Sequence, residues 1–446
     1  MKRLPLSDEL PYEFIAPRLR RVWWRVGGPY ARWRCRREHR VEAFEFAALD
    51  RLNALLATGD SVLITPNHAD YADCFVLFEI SRRLGRPFTY MAAHQVFTGL
   101  ARWALPRVGV FSVDREGADR AAFKAAVDLL VEGVHPLVIF PEGEVYRLAE
   151  RVTPLREGAF AIATAAARRL EEGGRRLWVV PLGIGYRFLE GTDPMPALQS
   201  LMGRLERRFT WRVQEERPLL ERLFRYADGV LSLKEVEYFG TPQSGSLADR
   251  VLGLTERVLA PIEARRSPGR RLSTIPERVK ELRRVCLEVL ADPAVPSDGP
   301  AARSARADLE ELFLAIQIFS YPGDYVRQRP SRERVAETLM KCEEDFLEAG
   351  QSTSPAPRRA IVCVGEPIAV GARADGGGRS RDRVAALAGE VERKLQDLLD
   401  GMPPGSPLAD LSEARREALE QNGRSEKAGA SWQPLEIGTV ESSGEP

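Results

Sequence analysis

From residue 40 onward, apolar positions fall into two alternating rhythms. Residues 61–66 (SVLITP), 136–140 (PLVIF) and 177–184 (LWVVPLGI) are short unbroken apolar runs rich in branched side chains, which predicts strands buried on both faces. Shorter extended runs fall at 88–91 and 108–113. Between them, apolar residues recur at helical spacing over 42–57, 72–84, 96–105, 119–130 and 157–170, and Gly59 stands just past the first of these as a stop signal. Buried strands separated by helices predict an α/β fold with a mostly parallel central sheet flanked by helices. Function is then expected in the loops beyond the strands' ends.

After Phe188 the rhythm becomes almost wholly helical. Helices are predicted at 197–212, 246–265, 276–291, 305–320 and 332–349, with Pro/Gly/Ser-rich breaks at 240–246 and 293–300. A lone branched run (AIVCV, 360–364) then precedes Gly365-Glu366-Pro367 and a helix over 382–399. A single strand returning after so long a helical stretch predicts a large all-helical insertion between two strands of one sheet. The resulting division is an N-terminal segment (1–40), an α/β core (41–190), a helical insertion (191–355), a return strand and helix (356–400), and a Gly/Pro/Ser-rich C-terminal tail (401–446) expected to be disordered.

With 446 residues, 44% hydrophobic and 29% charged, the chain can bury a sizeable core. Its 65 Lys+Arg and 64 Asp+Glu leave a net charge of +1, which argues against a nucleic-acid binder of the globally basic kind. No apolar run reaches the ~18 residues of a membrane span, and the start lacks a secretory layout, so a cytoplasmic location is expected. Five cysteines, never closer than 21 residues, fit neither a disulfide framework nor a cysteine zinc site. Charge is unevenly placed, however. Residues 1–40 hold eleven cationic and four acidic side chains, a surplus of seven, interleaved with Tyr12, Phe14, Trp23, Trp24, Tyr30 and Trp33. Arginine with tryptophan suits the surface of an anionic membrane, with residues 12–37 as one or two surface helices. The plainer alternative is a basic solvated face whose aromatics pack onto the main domain, and a second rival is nucleic acid, since basic and aromatic patches also stack bases.

Four histidines occur, at 39, 68, 94 and 135, without local zinc-type spacing. His68 directly follows a predicted strand, in Pro66-Asn67-His68-Ala69-Asp70-Tyr71-Ala72-Asp73, where the chain leaves the sheet and opens a helix. The bend can bring the Asp73 carboxylate to the imidazole. A carboxylate on one ring nitrogen fixes the tautomer and leaves the other nitrogen to take a proton from a hydroxyl. Asp70 is an alternative partner, and Asp70 with Asp73 also makes a good helix-capping pair. Phe140-Pro141-Glu142-Gly143 ends a second strand, setting a carboxylate between a strand stop and a residue that admits close backbone approach. Gly109…Asp114-Arg115 ends a third in a guanidinium, suited to a phosphate or to a nearby carboxylate. Val180-Pro181 interrupts a fourth.

In this order, Asn67-His68-(four residues)-Asp73, Gly109…Asp114-Arg115, Phe140-Pro141-Glu142-Gly143 and Val180-Pro181 resemble the four-block signature of the glycerolipid acyltransferase family, whose best-known members are the 1-acylglycerol-3-phosphate acyltransferases. The resemblance covers roughly residues 45–190, and residues 362–367 resemble the strand that closes the family's domain. It implies transfer of a fatty acyl group from acyl-CoA or acyl carrier protein to a hydroxyl of a lysophospholipid such as 1-acylglycerol-3-phosphate. His68 would be the general base and Asp73 its partner. Asn67 shares the first block, Arg115 would hold the glycerol phosphate, Glu142 and Gly143 would shape the acceptor site, and Pro181 is the fourth-block proline. The hydroxyl attacks the thioester directly, with no metal or other cofactor implied. The implied location is the inner face of the membrane, held peripherally through anionic lipids.

The third block departs from the family, which usually continues Thr-Arg-Ser. Here it reads Glu144-Val145-Tyr146-Arg147, so an apolar residue replaces a cationic phosphate ligand, and Arg147 is the residue placed to compensate. The acceptor stays open between a phosphate monoester and a lipid without one. A third alternative is a catalytically silent membrane-surface protein.

Overall fold

The computed structural model describes residues 12–115, 119–269, 274–371 and 380–408. Eight strands form one sheet: β1 (Val41–Ala47), β2 (Ser61–Pro66), β3 (Thr89–Ala93), β4 (Val110–Val113), β5 (Leu137–Val138), β6 (Leu177–Phe188), β7 (Arg358–Val364) and β8 (Ile368–Val370). Their order is β1-β7-β6-β2-β5-β3-β4, with β8 also on β6. The central strands β6, β2, β5, β3 and β4 run parallel, so the loops leaving β2, β4 and β5 emerge at one edge. The mostly parallel sheet flanked by helices matches the hydrophobic pattern. β7 and β8 run antiparallel to β6, while β1 pairs parallel with β7.

Fourteen α-helices lie among the described residues. Around the sheet stand α1 (Arg21–Arg37), α2 (Leu49–Ala57), α3 (Asp73–Arg83), α4 (Gly99–Arg107), α5 (Arg120–Glu132) and α6 (Gly158–Glu171). The helical region follows, with α7 (Met195–Arg208), α8 (Leu219–Phe239), α9 (Leu247–Arg266), α10 (Ile275–Ala291), α11 (Pro300–Phe319), α12 (Tyr325–Gln328) and α13 (Arg332–Phe346). The last is α14 (Ser380–Asp400). Two cores cover the two faces of the sheet. One joins β2, β6 and β7 to α2 and α3; the other sets α5, α6 and α14 against Leu63, Leu137 and Val179.

Three stretches differ from the expectation. Residues 42–57 carry a helical rhythm, yet 41–47 form β1, and only Leu49–Ala57 is helical. Pairing with β7 recruits this stretch, and Ala48 in the left-handed region (φ 55°) breaks the chain between strand and helix. The 21-residue α8 lies where the pattern predicts no helix; its buried face, from Leu219 to Glu235, includes the charged Arg222 and Glu235, which blurs the apolar stripe. Residues 401–408, expected to open the tail, are packed down. Met402 is buried against Ile361 and Leu399, and the Arg187 Nε donates to the Pro403 carbonyl at 2.8 Å. The rest of that expectation, 409–446, and residues 1–11 of the basic segment lie outside the described residues.

The helical region stands in sequence between β6 and its sheet neighbour β7, and it grips the loop after β5. Tyr146 and Leu148 are buried in the core formed by α7, α8, α12 and α13. This loop has no ladder of its own, so its amides need other acceptors. Side chains supply them: Glu337 accepts from the Ala149 amide at 3.2 Å, Gln396 from Val152 at 3.0 Å and Glu392 from Leu155 at 3.1 Å. Burial pushes the Glu337 carboxyl up to about 7, with the Tyr325 hydroxyl bond at 2.6 Å working against the shift and nearby Glu150 adding to it. A carboxyl raised in the folded state contributes stability present below its usual 4.5, and that stability is lost as pH rises through about 7. Thermal stability of the wild type is therefore expected to decline between those pH values. Glu337→Gln, whose amide oxygen still accepts both bonds, should flatten the decline; melting curves across that range decide it, and an unchanged slope refutes the assignment.

Candidate active site

β2 ends at Pro66, and the next two residues define the site. β6 runs on past β2, and the Asn67 side chain fills the gap as a strand would: its Nδ2 donates to the Ile184 carbonyl at 3.0 Å, and its Oδ1 accepts from the Ile184 amide at 2.7 Å. Asn67 is fully buried and fixes where the turn begins. Pro181 sits within β6 opposite Thr65, and its carbonyl accepts from the Gly365 amide at 2.9 Å. Both residues position backbone.

His68 leaves the sheet with its ring about one-fifth exposed. Its Nδ1 lies 3.0 Å from Oδ2 of Asp73, and the ring stacks on Phe140 at 4.0 Å between centroids and 24° between planes. Asp73 is fully buried at the start of α3. It also accepts from the Asp70 amide at 2.9 Å and, on its other oxygen, from the Tyr186 hydroxyl at 2.5 Å. Burial and the neighbouring carboxylate push the Tyr186 phenol well above its ordinary value, so it stays a donor to Asp73. With its carboxylate so held, Asp73 favours the tautomer in which His68 Nδ1 carries the proton and Nε2 is the acceptor. No hydrogen bond to Nε2 occurs among the described residues.

Glu142 supports the same turn from beneath. Its Oε1 accepts from the His68 backbone amide at 2.7 Å, while Oε2 accepts from the Thr153 amide at 3.2 Å and from the Thr153 hydroxyl. Burial raises its carboxyl above the ordinary range against those bonds. Both oxygens are thus spent within the protein. Gly143 follows with φ of 76°, and a Cβ there would stand 2.6 Å from Arg156 Nε. Glycine is required for the Arg156 guanidinium to lie over this turn.

Arg115, from the loop after β4, reaches the same edge. Its Nη1 donates to the Gly143 carbonyl at 2.6 Å and pairs with Glu144 at 3.1 Å. Arg156 pairs with the other oxygen of Glu144 at 3.7 Å. A carboxylate thus stands between two guanidinium groups beside the histidine turn.

Arg147 is elsewhere. It is among the largest fully buried side chains, adopts a left-handed backbone (φ 59°), and places Nη1 on Asp70 and Nη2 on Glu344 at 2.6 Å. Arg358 also bonds Asp70, at 2.9 Å. Burial raises the Asp70 carboxyl, but Arg358 and Arg147 outweigh it and hold the group well below the usual carboxylate range. Arg147 therefore braces the histidine turn from behind, and as a phosphate ligand it would have to abandon two buried carboxylates. Asp70, the alternative partner for His68, is occupied by these arginines and by the Ala72 amide at 2.8 Å.

The structure thus brings His68, Asp73, Glu142, Gly143 and Arg115 together. It sets Asn67 and Pro181 behind them and Arg147 deeper still. Thr153, Tyr186 and Arg156 are not distinguished by the sequence, and Phe140 stands there without a role of its own. Only Phe140 carried a signal, as the first residue of its block. Among the described residues no group of His, Cys, Asp and Glu side chains could hold a metal ion, and no helix is long and apolar enough to cross a membrane.

Residues 44–185 match the family model described as Acyltransferase. No curated protein matches the chain.

Proposed function

Because residues 44–185 are an acyltransferase domain of the glycerolipid acyltransferase family, we propose that this acyltransferase moves a fatty acyl group from an acyl thioester to a hydroxyl of a lysophospholipid. The reading rests above all on the His68–Asp73 contact at 3.0 Å, braced by Tyr186 and set on the edge that also presents Arg115. His68 Nε2 takes the acceptor hydroxyl's proton as its oxygen bonds to the thioester carbonyl carbon. Asp73 stabilises the imidazolium that forms. Collapse of the tetrahedral intermediate breaks the carbon–sulfur bond, and the imidazolium proton passes to the leaving thiolate. The donor is acyl-CoA or acyl carrier protein, and the acceptor is reached at a membrane surface.

The test is lipid mass spectrometry after incubating the protein with acyl-CoA, or acyl carrier protein, and a panel of lyso-lipids. A new ester formed in step with free thiol is expected. Folded protein that yields no ester with any acceptor overturns the reading.

Glu144 favours a second reading of the acceptor. Its carboxylate pairs with both Arg115 and Arg156 and offsets part of their charge, so a phosphate monoester entering there meets a like charge beside them. A lipid without a phosphate monoester is then the preferred acceptor. Glu144→Gln is expected to raise kcat/KM for lysophosphatidate by roughly tenfold, corresponding to about 1.4 kcal/mol of relieved repulsion, while leaving lysophosphatidylcholine nearly unchanged. A wild type that already prefers lysophosphatidate, and ignores the substitution, removes this alternative.

A further inference from the structure

A concave site on α1 lies away from His68. It is an open cavity of about 790 Å³ on α1, with Arg82 at the far end of α3 on its wall. α3 is 11 residues long, so some ~16 Å of helix separates it from the histidine turn. Five guanidinium groups line it: Arg25, Arg32, Arg36, Arg37 and Arg82. One carboxylate answers them. The buried Glu79 pairs with Arg32 at 2.6 Å and Arg82 at 3.0 Å, and it also takes Arg83 at 3.2 Å. Arg25, Arg36 and Arg37 have no acidic partner among the described residues.

The walls of the cavity are set by packing. Trp24 is buried, with its indole N–H donating to the Ser81 hydroxyl at 2.8 Å, and Trp33 stands more than half exposed at the rim. Gly28 lets Arg82 lie across α1, since a Cβ there would come 3.1 Å from the Arg82 Cδ. The lining is unusually rich in arginine, and clustered guanidinium groups recognise phosphate bidentately.

The surface next to the cavity is apolar. Val22, Val26, Tyr30 and Trp33 recur at helical spacing on α1, each more than half exposed. Trp23 meets Trp103 of α4 edge to face at 5.0 Å, and α4 with the turn before it adds exposed Val96 and Leu100. A soluble anion would satisfy the arginines and leave these side chains in water. An anionic bilayer satisfies both.

We propose that the Arg25–Arg36–Arg37 cavity on α1 is a binding site for the phosphate headgroup of an anionic membrane lipid, separate from the acyl-transfer site, with Val22, Val26 and Trp33 entering the apolar boundary beside it. The proposal deepens the reading that the acceptor is drawn from a membrane, and its test does not depend on catalysis.

Full-length protein is sedimented with vesicles of phosphatidylcholine alone or mixed with phosphatidylglycerol. The variant R25Q/R36Q/R37Q is compared with R207Q/R212Q/R225Q, which removes the same charge from exposed positions of the helical region. Each cation at an anionic surface contributes roughly fivefold to binding, so the first variant should lose at least ~10-fold in partition and the second less than ~2-fold. Equal losses in the two variants, or no loss in the first, overturn the proposal. Inorganic phosphate at matched ionic strength should not displace the protein from vesicles. Displacement would assign the cavity to a soluble phosphate and overturn the lipid assignment. Because binding is read directly, a failure to find acyl transfer leaves the result interpretable, and loss of binding with transfer to detergent-solubilised acceptor intact separates the two sites.

Discussion

His68→Ala is expected to lower kcat for acyl transfer by about 10²- to 10⁴-fold, the usual worth of a positioned general base, with little change in fold. The ring is at the surface end of its turn, and the turn itself is held by backbone bonds that alanine keeps: the residue 68 amide to Glu142 and the Asp70 amide to Asp73. Asp73→Asn should also be slow, because an amide presents mixed donor and acceptor groups where Tyr186, the Asp70 amide and the imidazole all donate. Single-turnover rates with acyl-CoA, alongside melting curves, separate chemistry from stability. An alanine variant within tenfold of wild type would remove His68 as the base.

Arg147→Met is expected to destabilise the protein by about 3–5 kcal/mol, the cost of breaking a buried ion pair from one side. Arg147 and Arg358 face Asp70 and Glu344 in a buried cluster of balanced charge. Removing one guanidinium leaves a net negative charge in a region closed to water, and burial makes that costly because no solvent answers it. Methionine keeps most of the volume, so the loss is electrostatic. Arg147→Met with Glu344→Gln restores the balance and should recover a substantial part of the stability. Chemical denaturation of the single and double variants gives the comparison; a double variant no better than the single one shows that packing, not charge, sets the effect. The same cluster ties α13 to the turn that carries His68. A residual folded fraction of the single variant should therefore also show a lowered kcat.

The legible part of this protein is what short-range physics encodes. Buried strands announce themselves as branched runs, so β2 and β6 are readable from SVLITP and LWVVPLGI. The His68–Asp73 contact is readable too, because both ends lie within six residues and the turn between a strand and a helix admits few paths. Edge placement of Arg115 follows from the same logic, since parallel strands discharge their loops on one side.

Tertiary structure decided whatever depended on a partner far along the chain. Residues 41–47 became a strand because β7, more than three hundred residues later, offers a free ladder. Arg147 was placed by sequence order beside a phosphate site, yet it turns inward because Glu344, 197 residues away, and Asp70 present carboxylates that only the folded chain brings together. The unusual Val145-Tyr146 stretch looked like a change of substrate chemistry. Tyr146 proves to be anchorage, its ring buried in the helical region's core. Periodicity and spacing report on a residue's neighbours within a few turns. An ion pair or a buried ring is fixed by which surfaces meet, and that is a property of the whole fold.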